Sequence, residues 1–251
     1  MLNPNDTIVN FQAKPLPVLL LLDVSGSMSG PKIDALNKSV RILLQDCMDA
    51  QNLGECEIQL SIVTFGEKVQ RLFPFTRTAD VNFTDLTARG GTPLGTAFKM
   101  AKAIIDDTDE TPRRAYRPLV VLVSDGRPGD KWDTPLEDFI ATGRSAKCDR
   151  MALAIGNDAD ESVLGRFIEG TSNPLFKAHS VRDIKNFFKF VSQTTVTRSK
   201  SKDPNDVSSA PRPSPSPSPL PSPSPGAQAS MSGGVPPPPY DDDDEEDVYF
   251  P

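Results

Sequence analysis

Asp23-Val24-Ser25-Gly26-Ser27 follows directly on the apolar run Leu16–Leu22. A buried strand ending in this way delivers three oxygen-bearing side chains to one loop. Two further segments carry matching chemistry: Gly90-Gly91-Thr92-Pro93, and Val121-Leu122-Val123-Ser124-Asp125-Gly126, again a strand pattern running into an aspartate. Together Asp23, Ser25, Ser27, Thr92 and Asp125 offer two carboxylates and three hydroxyls, with no His or Cys among them. Such an all-oxygen set suits a hard divalent cation, Mg²⁺ or Mn²⁺. Alone, Asp-x-Ser-x-Ser would read as a helix cap and turn, because Asp and Ser favour helix starts. Thr92 and a second strand-terminal aspartate tip the balance to a metal site.

Five residues so scattered need a scaffold that gathers them, and the pattern around them supplies one. Leu16–Asp23 and Leu119–Ser124 are continuous apolar runs, as expected of parallel strands buried on both faces. Pro31 after Ser29-Gly30 marks a helix start, and Ile33, Leu36, Val40, Leu43, Leu44 and Cys47 then recur at helical spacing. Glu57–Phe65 alternates as a strand, with Val69–Phe75 as its hairpin partner. Thr92-Pro93 opens a helix with Leu94, Ala97, Phe98, Ala101, Ile104 and Ile105 on one face. Leu136–Cys148 reads as helix, Arg150–Ile155 as strand, Glu161–Ile168 as helix and Leu175–Ala178 as a short strand. A last helix carries Ile184, Phe187, Phe188 and Val191. The expected fold class is α/β, a doubly wound, mostly parallel sheet with helices on both faces. Ligands in such sheets sit at the carboxyl ends of strands where the winding reverses. The Leu16–Asp23 and Leu119–Ser124 strands are expected to flank that point as neighbours, so that Asp23 and Asp125 face one ion.

The motif set resembles the metal-ion-dependent adhesion site (MIDAS) of von Willebrand factor A (VWA) domains. Leu16-Pro17-Val18 before DVSGSMSG, Ser61-Ile62-Val63-Thr64-Phe65, GGTPLG, Arg117-Pro118-Leu119-Val120 before SDGRPGD, and Phe187-Phe188-Lys189-Phe190-Val191-Ser192 occur in an order similar to compact bacterial TerY/YegL-type VWA proteins. The resemblance implies that residues matching Ser25, Ser27 and Thr92 coordinate the metal directly, while those matching Asp23 and Asp125 often act through water. Neutral hydroxyls would leave the ion electrophilic, in want of an anionic ligand supplied by a partner's Asp or Glu. The implied activity is protein binding rather than catalysis. The implied setting is a signalling, tellurite-resistance-like stress or defence system, with a protein kinase and a metal-dependent Ser/Thr phosphatase as possible partners.

Two rivals stand beside this adaptor. One is an assembly scaffold with a structural, non-switching metal. The other is a metal-assisted hydrolase, since Ser25 or Ser27, Asp125 and the only histidine, His179, follow the order Ser…Asp…His. The Gly-x-Ser-x-Gly elbow is missing, however, because Met28 holds the central position. A phosphoaspartyl enzyme would want a carboxylate where Ser25 stands. Arg113, Arg114 and Arg117 read either as an anion patch or as a solvated loop joining a helix to the next strand. Trp132 either anchors a binding surface near the metal edge or packs on the neighbouring helix.

Composition divides the chain. Three segments are expected: an N-terminal extension 1–13, one α/β domain 14–197, and a disordered Pro/Ser-rich linker and acidic tail 198–251. Of the 25 prolines, 14 lie after Thr197, and there 9 acidic face 4 basic residues, leaving a near-neutral body. No basic stripe suggests a nucleic-acid partner. The short apolar run Pro15–Leu22 lacks a cleavage site, no run is long enough to cross a bilayer, and Cys47, Cys56 and Cys148 have no metal-ligand spacing. A cytoplasmic protein without a membrane partner is the expectation. Pro213–Pro225 should sample polyproline II, and the acidic run before Val248-Tyr249-Phe250 could serve as a linear motif or as a solubilising end.

Overall fold

The structure is a computed structural model and describes residues 13–51, 56–206 and 248–250. In chain order the elements are β1 (Lys14–Asp23), α1 (Pro31–Gln51), β2 (Cys56–Phe65), β3 (Val69–Arg77), α2 (Leu94–Asp106), β4 (Leu119–Ser124), α3 (Asp133–Ala141), β5 (Asp149–Ile155), α4 (Glu161–Ile168), β6 (Leu175–Ala178) and α5 (Val181–Lys200). They form one six-stranded sheet of order β3-β2-β1-β4-β5-β6, parallel except for the β2–β3 hairpin.

The apolar run of β1 is continuous because each face of the sheet is covered. Val18, Leu20 and Leu22 join a core with residues of α1 and α5, while Leu19 and Leu21 join one with residues of α2, α3 and α4. Successive strand residues point to opposite faces, so one apolar stretch feeds both layers. On the second layer Phe98, Phe139 and Phe167 stack with centroids 5.8–6.3 Å apart. The sheet winds from β1 outward to β2, then returns to place β4 on the other flank of β1. The reversal therefore falls between β1 and β4, as the doubly wound reading expects.

One helix departs from the sequence reading. The Leu136–Cys148 periodicity breaks after Ala141, and residues 145–147 form only a 3₁₀ turn. Gly143 takes φ of 71°, and a side chain there would stand 2.5 Å from Asp106 Oδ2. That carboxylate accepts the Arg144 and Ser145 amides at 2.8 and 3.0 Å. A tertiary cap from α2 thus stops a helix whose apolar spacing would have let it continue.

The described residues reach into the expected tail segment at both ends. Helix α5 runs on to Lys200, and Arg198 donates from Nε to Pro204 O at 2.8 Å. Residues 248–250 lie against the domain, with Ser180 and Tyr249 bridged in antiparallel fashion. The polyproline stretch, the acidic run Asp241–Asp247 and residues 1–12 of the expected N-terminal extension fall outside the described residues. Among those described, no helix is long and apolar enough to cross a membrane.

Candidate metal centre

β1 and β4 pair with Leu22 opposite Val123, so Asp23 and Ser124-Asp125 leave the sheet side by side. Both aspartates are buried, at 0% and 1% exposure. Asp23 Oδ1 accepts the Ser25 amide at 2.8 Å and Oδ2 accepts the Ser124 hydroxyl. Burial nevertheless dominates and pushes the Asp23 carboxyl up to about 6, against the hydrogen bonds that favour its ionised form.

The two serines bridge the carboxylates. Ser25 Oγ and Ser27 Oγ lie 3.0 Å apart, and the Ser27 hydroxyl donates to Asp125 Oδ1 at 2.7 Å. The other oxygen of Asp125 accepts from Lys32 Nζ, also at 2.7 Å. Lys32 comes from the first turn of α1, and its side chain is only 14% exposed. The protein thus carries its own cation against one of the two carboxylates.

Thr92 arrives from a separate loop. Gly90 takes φ of 82°, and a side chain there would collide with Glu67 Cα at 2.4 Å. Its carbonyl accepts the Gly26 amide at 2.9 Å, which ties the Thr92 loop to the Ser25–Ser27 turn. A Cβ placed on Gly126 would stand 3.5 Å from Thr92 Oγ1 and 3.8 Å from Ser27 Oγ. Both hydroxyls therefore border the small space left by that glycine. Behind the loop, Asp130 caps α2 by accepting the Gly95 and Thr96 amides at 2.7 and 2.8 Å.

All five residues singled out in the sequence converge on one sheet edge. The donor set fits a hard cation, because two carboxylates and three hydroxyls beside a glycine-lined gap offer oxygen donors alone. Sequence reasoning missed three neighbours. Lys32 carries no local signal, since a lysine in a first helical turn is ordinary. Ser124 and Asp130 lie inside the SDGRPGD segment, which could have flagged them.

Other candidates fall elsewhere. The exposed His179 contributes its backbone carbonyl to the 248–250 segment. Trp132 packs on the α2–α4 core with the Arg166 guanidinium 5.6 Å from its ring. Arg113 and Arg117 line a groove with Arg144 and Arg150 near the start of β5, at the opposite sheet edge. The three cysteines are buried and joined by no disulfide, and burial pushes the thiols of Cys47 and Cys148 up to about 12.

A sequence profile of the von Willebrand factor type A domain matches residues 18–190. The human inter-alpha-trypsin inhibitor heavy chain H6 is 25% identical over 158 residues, 59% of this chain and 12% of that protein. Chicken (Gallus gallus) matrilin-3 is 23% identical over 159 residues, 60% of this chain and 33% of that protein. The chain thus spans a third or less of these curated relatives, and both are animal proteins rather than compact bacterial ones of the TerY/YegL type. Proximal thread matrix protein 1 from the mussel byssus, solved with a zinc-occupied MIDAS motif, shares the fold with a TM-score of 0.57. It is 16% identical, over 72% of this chain and 48% of its own.

Proposed function

This chain belongs to the von Willebrand factor type A domain family, and from that premise we propose that it is a metal-dependent protein-binding adaptor. One observation carries the reading: Asp23, Ser25, Ser27 and Asp125 form a continuous hydrogen-bonded set, with Thr92 Oγ1 bordering the same gap. Ser25, Ser27 and Thr92 would hold Mg²⁺ or Mn²⁺ through their hydroxyls, with Asp23 and Asp125 as the flanking carboxylates. When bound, the ion supplies an electrophilic position open to an Asp or Glu of the partner.

The chain's own residues prepare that position. Ser124 and the Ser25 amide orient Asp23. Lys32 neutralises Asp125. Asp130 anchors the helix behind Thr92. The zinc-occupied motif of the mussel protein supports the metal reading without choosing the ion. A stress or defence setting, with a kinase or phosphatase partner, rests on motif order alone. A cytoplasmic location rests on three cysteines that no disulfide joins.

Titration of the full chain with Mn²⁺, followed by the ion's spin resonance, tests the proposal. Wild type should bind Mn²⁺, and an Asp-bearing peptide should change the ion's coordination where its Asn counterpart does not. Asp125→Ala should lose both effects. Failure of wild type to bind Mn²⁺ or Mg²⁺ at millimolar levels would sink the reading.

A further inference from the structure

The described end of the chain is docked beside the metal centre. Val248 O accepts the Val181 amide at 3.1 Å, and the Phe250 amide donates to His179 O at 2.7 Å. These two bonds flank the Ser180–Tyr249 bridge as one short antiparallel ladder. The ladder lies just beyond β6, the edge strand of the sheet among the described residues. Val181 opens α5, so Val248 satisfies an amide that the helix itself leaves without a partner. The side chains divide in a way that marks an anchor. Tyr249 is 72% exposed, whereas Phe250 is 8% exposed and joins the α1–α5 core. The Phe250 ring centroid lies 5.8 Å from Lys32 Nζ, and that ammonium is the one paired with Asp125.

We propose that the groove between the N-termini of α1 and α5 is a docking site for the chain's own Val248-Tyr249-Phe250 segment, and that Lys32 links its occupancy to that of the metal centre. Backbone pairing supplies the attachment and the buried aromatic supplies the selectivity, as in other strand-addition modes. Reach is no obstacle. Helix α5 carries the chain about 30 Å from the groove, and residues 207–247 can span well over about 100 Å when extended. The link follows from charge. A divalent cation held at this centre would repel the Lys32 ammonium from Asp125. Displacing Lys32 removes its contact with the Phe250 ring, which weakens docking. Reciprocally, a docked Phe250 holds Lys32 on Asp125 and opposes the ion. Only this second half rests on the metal-binding reading above.

Hydrogen–deuterium exchange of the full chain decides both halves. In metal-free wild type, peptides containing Val181 and Phe250 should be protected about tenfold relative to Phe250→Ala. Absence of protection overturns docking. Protection that rises with protein concentration, together with dimers in sedimentation, overturns docking in cis in favour of exchange between copies. Saturating Mn²⁺ should then reduce wild-type protection about fivefold, and Phe250→Ala should bind Mn²⁺ about fivefold more tightly. Mn²⁺ binding with unchanged protection and unchanged affinity overturns the Lys32 link. A wild type that binds no Mn²⁺ overturns the metal reading and the link with it, while the metal-free exchange still decides docking.

Discussion

Asp23 carries the largest electrostatic burden in the centre. Its carboxyl is wholly buried and pushed up to about 6, chiefly by loss of solvent. A raised folded-state value means that the folded chain holds this proton more firmly than the unfolded one. The contribution of Asp23 to stability is therefore full below about pH 4 and is lost as pH rises through about 6. The shift corresponds to about 3 kcal/mol. Metal-free Asp23→Asn should accordingly be more stable than wild type at pH 7.5 by up to that amount. The gap should close towards pH 4, as read by urea unfolding at both values. An equal gap at both would contradict the assignment. Because the ion needs the carboxylate, wild-type Mn²⁺ affinity should fall as pH drops through about 6. Thr92 makes a different prediction. It reaches the centre from its own loop, so partner engagement can shift it relative to Ser25 and Ser27. Thr92→Ala should weaken capture of an acidic peptide more than it weakens Mn²⁺ binding. Equal losses by calorimetry would favour the rigid, structural-metal scaffold.

At the scale of elements, helix ends matter more than helix middles. Asp130 accepts two amides and the Thr96 hydroxyl at the start of α2, and Thr92 lies two residues ahead of that helix. Asp130→Ala should cost about 1–2 kcal/mol of stability, as for loss of a cap. It should also weaken Mn²⁺ binding, because the Thr92 loop loses its fixed end. A variant that unfolds earlier yet binds Mn²⁺ normally would show that the cap only stabilises. Gly143 performs the corresponding task at the end of α3. Gly143→Ala should destabilise by about 1–3 kcal/mol, through its positive φ and through the crowded Asp106 carboxylate. Metal affinity should be unchanged, since that corner lies away from Asp23 and Asp125.

For the molecule as a whole, the centre joins parts of the chain that share no local contacts. Asp23 from β1, Thr92 ahead of α2, Asp125 after β4 and Lys32 from α1 meet only when the sheet is wound. An ion that binds this assembly, and not the unfolded chain, must stabilise the whole fold. At a hundredfold excess over its dissociation constant the gain should be about 2.7 kcal/mol. The urea midpoint of wild type should rise accordingly with Mg²⁺, while that of Asp125→Ala should stay in place. A parallel rise in both would mean that Mg²⁺ acts elsewhere on a chain whose net charge is -7.

The sequence alone determined what periodicity and residue type can encode. The apolar run Leu16–Leu22 announced a strand buried on both faces, and the alternation of strand and helix patterns required a doubly wound sheet. The oxygen-only chemistry of Asp23, Ser25, Ser27, Thr92 and Asp125 was legible because those residues stand at strand ends and helix starts, where such a fold exposes its edge. Tertiary structure alone decided the rest. Lys32 on Asp125, Asp106 stopping α3 at Gly143, and Phe250 seated beside the α5 N-terminus join residues with no shared local pattern. Periodicity reports which face of an element is apolar, but not which distant carboxylate, ammonium or ring will meet it across the fold. Those pairings follow from the winding of the chain in the order β3-β2-β1-β4-β5-β6, which brings together groups that lie tens of residues apart in sequence.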